Sequence, residues 1–271
     1  MSATAKARVC CVGDNTIDRY IGATTGSYVG GNALNVAVQL RRLGHAAAYF
    51  GAVGDDDDGR RILHALRSLD VDVTGVTIVP GRTANTIVRV TDEGDRIFDK
   101  EEYGVTLGYA PSDADIDRMS EFDAAHLGFI ERPEVLRDKM FSRVALLSQD
   151  CGVSPGFDHL NVAFCSCGDD PGAAKEVLSA AVASGARLAV ATCGAAGSAS
   201  YDGAHYRSMS AVPTTVVDTT GAGDSYIAGF LSGLLSGRSV EDAMHTGAEL
   251  AALTCTHVAA WPQTGEGHRG G

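Results

Sequence analysis

Val216-Val217-Asp218-Thr219-Thr220-Gly221-Ala222-Gly223-Asp224 passes from two β-branched residues, through a loop with two glycines, into a long apolar stretch. The reading is a strand end feeding a helix over residues 222–235. Gly221 and Gly223 let the backbone turn tightly and approach a ligand without Cβ interference. A helix starting there aims free N–H groups and its positive dipole end at the loop, which makes an anion pocket. Asp224 lies in the first helical turn, where it can either stabilise the helix end or take a proton from a hydroxyl attacking a phosphoryl group.

The same strand-to-helix rhythm continues in both directions. Strands are expected at 8–13, 46–53, 124–128, 144–149, 161–166 and 187–192. Helices are expected at 32–43, 58–69, 112–121, 133–141, 172–184, 222–235 and 240–254. This alternation predicts an α/β fold with a largely parallel sheet and helices on both faces. Two stretches break it. Residues 83–100 alternate, turn at Asp92-Glu93-Gly94-Asp95 and return, as a hairpin does. Residues 21–29 are also strand-like. Together they predict a small flap sheet, or ordinary surface hairpins.

Composition narrows the function. The chain has 271 residues, 45% of them apolar, which is enough for a full core without disulfide or metal staples. Lys and Arg number 22 against 34 Asp and Glu, a formal net charge of −12. That balance opposes a sequence-independent grip on nucleic acid, which needs a basic face. The sequence has no run of 18 apolar residues, so no membrane span is expected. The short apolar lead-in at residues 9–12 does not make a secretory signal, and a cytoplasmic location is expected. Seven cysteines without any C-x-x-C pattern read as small hydrophobes in a reducing compartment.

Two further loops enter helices or follow strands. Gly30-Gly31-Asn32-x-x-Asn35 brings backbone close to a ligand and sets two amides three residues apart on one helical face, where they suit sugar hydroxyls. An N-cap role for Asn32 competes with that reading. Asp14 and Asp18, after the first strand, could add acceptors from the crevice beyond the strand ends, or be solvated loop residues. Thr192-Cys193-Gly194-Ala195-Ala196-Gly197 follows a buried strand and could hold nucleotide phosphates or simply turn. Asp55 to Asp58 resembles a metal cluster, but a turn with a helix cap explains it better. Neither a Walker P-loop nor a dinucleotide fingerprint is present.

Taken together, G-G-N-x-x-N at residues 30–35 and D-T-T-G-A-G-D at 218–224 resemble the two signatures of the PfkB (ribokinase-like) family of carbohydrate kinases, and V-G-D-D-D-D-G at 53–59 resembles a structural element of it. Within the family the likeness is greatest to its fructoselysine kinases. The resemblance implies a ribokinase-like three-layer α/β/α domain over residues 1–263, with lid segments near 19–30 and 83–105 and a flexible tail at 264–271. It implies ATP-dependent phosphorylation of a hydroxymethyl group of a small sugar or sugar conjugate, a fructoselysine-type substrate being favoured. A ribokinase- or fructokinase-like activity, or a catalytically silent binding relative, is the alternative. Asp224 would be the base, and the amides of Gly221, Ala222 and Gly223 the anion hole. Asp14, Asp18, Gly31 and Asn35 would bind the sugar. Thr192, Gly194, Gly197 and Thr220 would line the nucleotide site. Mg2+ is implied, as is a monovalent cation such as K+ near Asp218 and Thr220, and a homodimer is conceivable by analogy. The family's N-x-x-E element is replaced here by Ser166-Cys167-Gly168-Asp169; Asp169 or Asp170 keeps an acid nearby, and Asp169 is the candidate metal residue. Glu131 is a weaker sugar-contact candidate.

Overall fold

A computed structural model describes residues 6–90, 96–168, 170–263 and 265. Strand β1 (Arg8–Val12) sets the layers. Its alternate residues Val9 and Cys11 pack into one apolar cluster and Cys10 and Val12 into another, as the two-residue period of a strand buried on both faces requires. On the first face lie α1 (Asn32–Arg42), α2 (Asp57–Ser68), α6 (Ala222–Leu235) and α7 (Val240–Thr254). On the second lie α3 (Asp113–Met119), α4 (Pro133–Met140) and α5 (Pro171–Ala183). Ser112 and Asp115 form the reciprocal cap of α3, a pairing visible in the sequence.

The sheet between them has nine strands. Around β1 stand β4 (Ala46–Gly54), β5 (Asp72–Val79), β8 (Ala124–Leu127), β9 (Leu146–Asp150), β10 (Val162–Ser166) and β11 (Leu188–Thr192), all pairing in parallel. Beyond β11 the hairpin β12 (Ser198–Tyr201) and β13 (Tyr206–Met209) pairs antiparallel. The order is β13-β12-β11-β10-β9-β8-β1-β4-β5. A second, four-stranded sheet is built from β2 (Thr16–Gly22), β3 (Gly26–Gly30), β6 (Asn85–Val90) and β7 (Arg96–Glu102), in the order β3-β2-β6-β7.

Several expectations need correction. Val216 and Val217 are not a strand end; residues 210–216 carry no regular structure and both valines are largely exposed, because this segment forms a cavity wall rather than part of the sheet. β5, β12 and β13 were not foreseen: β5 is a mostly exposed edge without an apolar run, and the hairpin strands are four residues each. The small sheet begins earlier than expected, at Thr16, so Asp18 stands on a strand and not in a loop. The turn at 92–95, residue 264 and residues 266–271 lie outside the described residues.

Asp56, from the acidic run, caps α2 through Gly59 N and also accepts from Thr83 N (2.9 Å) and Thr83 Oγ1 (2.6 Å). The run thus ties the entry of the second small-sheet hairpin to α2. Cys10, Cys11, Cys165 and Cys193 are buried and free.

Candidate active site

The cleft lies at the carboxyl ends of the parallel strands, beneath the small sheet, and its two halves meet at the start of α6. Gly221 caps that helix with φ +74, a left-handed conformation open to glycine. A Cβ there would also meet the backbone of Ala260. Among the described residues the N–H groups of Gly221 and Gly223 have no acceptor, and a Cβ on Gly223 would meet only open space. They are the free donors of a helix N-terminus. Ala222, expected in the same hole, donates its N–H to Thr219 O at 3.1 Å, closing the turn.

One half of the cleft is a cavity of about 820 Å³ running from Gly223 past Thr192, Gly194 and Gly197 to the apolar wall of Val212, Val216, Ala248, Ala251 and Ala252. No charged side chain lines it among the described residues. The expected nucleotide residues Thr192, Gly194 and Gly197 are therefore together. Thr220 is not with them: its hydroxyl meets Tyr20 Oη at 2.7 Å, and Thr219 lines the cavity instead. Asp218, fully buried, accepts from Thr220 N, Tyr20 Oη and Ala259 N, and those donors hold its carboxyl below the usual range against the cost of burial. Tyr20, on β2, thereby joins the small sheet to the anion loop.

The other half is rich in carboxylates. Asp224 is gripped at both oxygens, by Asn32 Nδ2 (2.7 Å) and Asn35 Nδ2 (2.6 Å). The Asn32 amide also donates to Asp150 Oδ2 at 2.8 Å, so the two carboxylates share one donor. Asn32 is therefore not an N-cap; Gly31 is, with φ 116 and no space for a Cβ against the Asn15 backbone. The cap that Gly31 cannot supply comes from Asp14, which accepts from Asn32 N, Ala33 N and Phe129 N. Asp14 was expected on the sugar; its oxygens instead fix the helix and the loop after β8. Asp18 is 7% exposed, and its carboxylate has no hydrogen-bond partner among the described residues. The side-chain oxygens of Asn32 and Asn35 also lack donors.

Burial pushes the Asp224 carboxyl up to about 8, Asp150 and Asp14 adding to the effect and the two asparagine amides opposing it. Burial raises Asp18 to about 7, helped by Asp14, Asp218 and Glu101. Asp150 is raised for the same reason, burial first. No Lys or Arg hydrogen-bonds Asp14, Asp18, Asp150 or Asp224 among the described residues. Asp150 was not assigned as a site residue from the sequence, where the available signal was its place at a strand's carboxyl end; Asn32, whose amide was read as suited to sugar hydroxyls, spends its Nδ2 on two carboxylates. Glu131 accepts from Gly108 N and is exposed. Asp169 lies outside the described residues, and the adjacent Asp170 caps α5.

The family model for pfkB family carbohydrate kinases matches residues 6–105 and 153–263. A fructoselysine 6-kinase of Shigella flexneri is 35% identical over 257 residues, covering 92% of this chain and 98% of that one. A fructosamine kinase of Bacillus subtilis is 32% identical, covering 92% and 90%. Among solved structures, a ribokinase of Arabidopsis thaliana complexed with ribose and ATP superposes with a TM-score of 0.84 at 20% identity, covering 94% and 95%. With both glycine-rich signatures at one cleft, the chain belongs to the pfkB family of carbohydrate kinases, phosphotransferases acting on sugar hydroxyl groups.

Proposed function

We propose that this kinase transfers the γ-phosphoryl group of ATP to a hydroxymethyl group of an amine-substituted ketose of the fructosamine type. One observation carries the reading: the free amides of Gly221 and Gly223 stand between an uncharged, nucleotide-sized cavity and a cluster of carboxylates to which, among the described residues, no Lys or Arg hydrogen-bonds. The relatives named for fructoselysine and fructosamine support the substrate class. The charge of the cluster suits a substrate bearing a protonated amine.

Asp224 accepts the hydroxyl proton in this reading. Asn32 and Asn35 hold its two oxygens, so its rotamer is set before substrate arrives, and the ionised carboxylate takes the proton as the sugar oxygen attacks. The amides of Gly221 and Gly223 face the charge that develops on the transferred group. Asp18, Gly31 and Asn35 position the sugar; Thr192, Gly194 and Gly197 hold the nucleotide. The small sheet acts as a lid that excludes water. Mg2+ suits the oxygen donors of the cleft, and Asp150, which shares the Asn32 amide with Asp224, is the carboxylate that would hold it. When bound, it neutralises phosphate charge. Activation by K+ near Asp218 and Thr220, and pairing of two copies through the lid, are further parts of the reading. Substitution of K+ in the assay and sedimentation velocity test them.

A coupled ADP-release screen across ketoses, pentoses, nucleosides and fructosamine conjugates tests the function. ADP release is expected with the fructosamine conjugate. Nucleotide binding without turnover of any sugar overturns the proposal.

A further inference from the structure

The small sheet sorts its charges by face. Strand pairing aligns Asp18 of β2 with Thr86 of β6, and Thr86 with Glu101 of β7. Paired positions project to one face of a sheet. On that face Asp18, Tyr20, Thr86 and Val88 are buried against the body of the protein. Arg19, Arg89 and Lys100 occupy the intervening positions, each with an acid: Arg19 with Asp58 at 2.5 Å, Arg89 with Asp99, and Lys100 with Glu102 at 2.6 Å; Arg96, at the other end of β7 from Glu101, pairs with Val90. The row formed by Asp18, Thr86 and Glu101 carries two carboxylates and no cation. Glu101 is exposed at the cleft mouth, and its one hydrogen bond among the described residues comes from Tyr103 Oη at 3.4 Å. Tyr103 stacks on Phe129, whose N–H reaches Asp14, so this end of β7 overlies the sugar half.

Two strand spacings separate Asp18 from Glu101, about 10 Å between Cα atoms. The Asp18 carboxylate lies against Gly30 of β3, so a group held by both acids lies across the inner face of β2 and β6, with the longer Glu101 side chain reaching toward it. Asp18 points to a ligand independently of Glu101, since it is more than nine-tenths buried without a partner.

We propose that Glu101, with Asp18, forms a cation subsite on the inner face of the small sheet and selects substrates by the ammonium of their amine substituent. The inference rests on the amine-conjugate reading above and adds the residue that enforces it. Asp18 serves the sugar ring as well, whereas Glu101 serves only the charged substituent. Anionic sugars are excluded by the same pair, because like charges brought together in a closed cleft repel.

The test compares Glu101→Gln with the parent enzyme on an N-alkyl aminofructose, which is cationic, and its N-acetyl derivative, which is neutral. The ratio of kcat/KM for the cationic over the neutral sugar is expected to fall about fivefold, through KM, the scale of a partly exposed ion pair. Added salt lowers the ratio in the parent enzyme and leaves it nearly flat in the variant. Glu102→Gln, whose carboxylate is held by Lys100 and Asn85, is the control and leaves the ratio unchanged. An unchanged ratio in Glu101→Gln, or an equal fall in Glu102→Gln, overturns the subsite. Where turnover of either sugar is too slow, calorimetric titration of both supplies the same ratio from Kd. Absence of turnover for every sugar defeats the proposed function, while a preserved ratio in an active enzyme defeats this inference alone.

Discussion

The two halves of the cleft are built from opposite chemistry. The cavity beside Gly223 has walls of alanine, valine and backbone and carries no charge among its described lining residues. The half beneath the small sheet gathers Asp14, Asp18, Asp150 and Asp224, with no Lys or Arg hydrogen-bonded to any of them among the described residues. A polyanion would be repelled by the second and is tolerated by the first, where helix N-terminal amides supply the positive end. The net charge of −12 is therefore uninformative about nucleotide binding, because its placement decides.

Substitutions can break this contrast. The largest effect is expected for Asp224→Asn, which should lower kcat by about 10²- to 10⁴-fold, the range for a positioned general base. Affinity for a non-hydrolysable ATP analogue, read by calorimetry, should change little, because the loss falls on the carboxylate half alone. Equal losses in turnover and nucleotide affinity would merge the two halves.

Gly221→Ala acts at the boundary. It puts a side chain on a left-handed backbone and against Ala260, at a cost of about 1–3 kcal/mol. Thermal denaturation should show a fall of several degrees, and KM for ATP should rise. Tyr20→Phe removes the hydroxyl that meets both Asp218 and Thr220. A loss of about 1 kcal/mol is expected, seen as roughly a fivefold fall in kcat/KM.

A separate effect falls on stability against pH. Asp224 and Asp18 have folded pKa values raised to about 8 and about 7, while unfolded carboxyls ionise near pH 4. The folded state thus holds more protons between these values, and stability falls as pH rises from about 4 to 8. Asp224→Asn should flatten that slope in thermal scans of the ligand-free protein.

Much of this could be read from residue order. Apolar strands and amphipathic helices gave the three layers, and D-T-T-G-A-G-D located the junction of the halves. Strands β5, β12 and β13 escaped because their pairing rests on backbone hydrogen bonds at a sheet margin, not on an apolar run. Thr220 was misplaced because a loop's sequence does not say which way each hydroxyl turns. Asp14 was misread because its partners are backbone groups of distant segments. Asp150 falls in the stretch that the family model leaves unmatched, and its bond to Asn32 spans 118 positions. Such pairings arise from the fold and leave no local spacing.

The most direct test of the account is a charge series for the purified enzyme: kcat/KM for an amine-conjugated ketose, its neutral parent ketose and the corresponding ketose phosphate, measured at one pH and ionic strength. The account predicts that kcat/KM falls in that order, with the phosphate barely used. Preference for the phosphorylated sugar, or ADP release that no sugar stimulates, would contradict it.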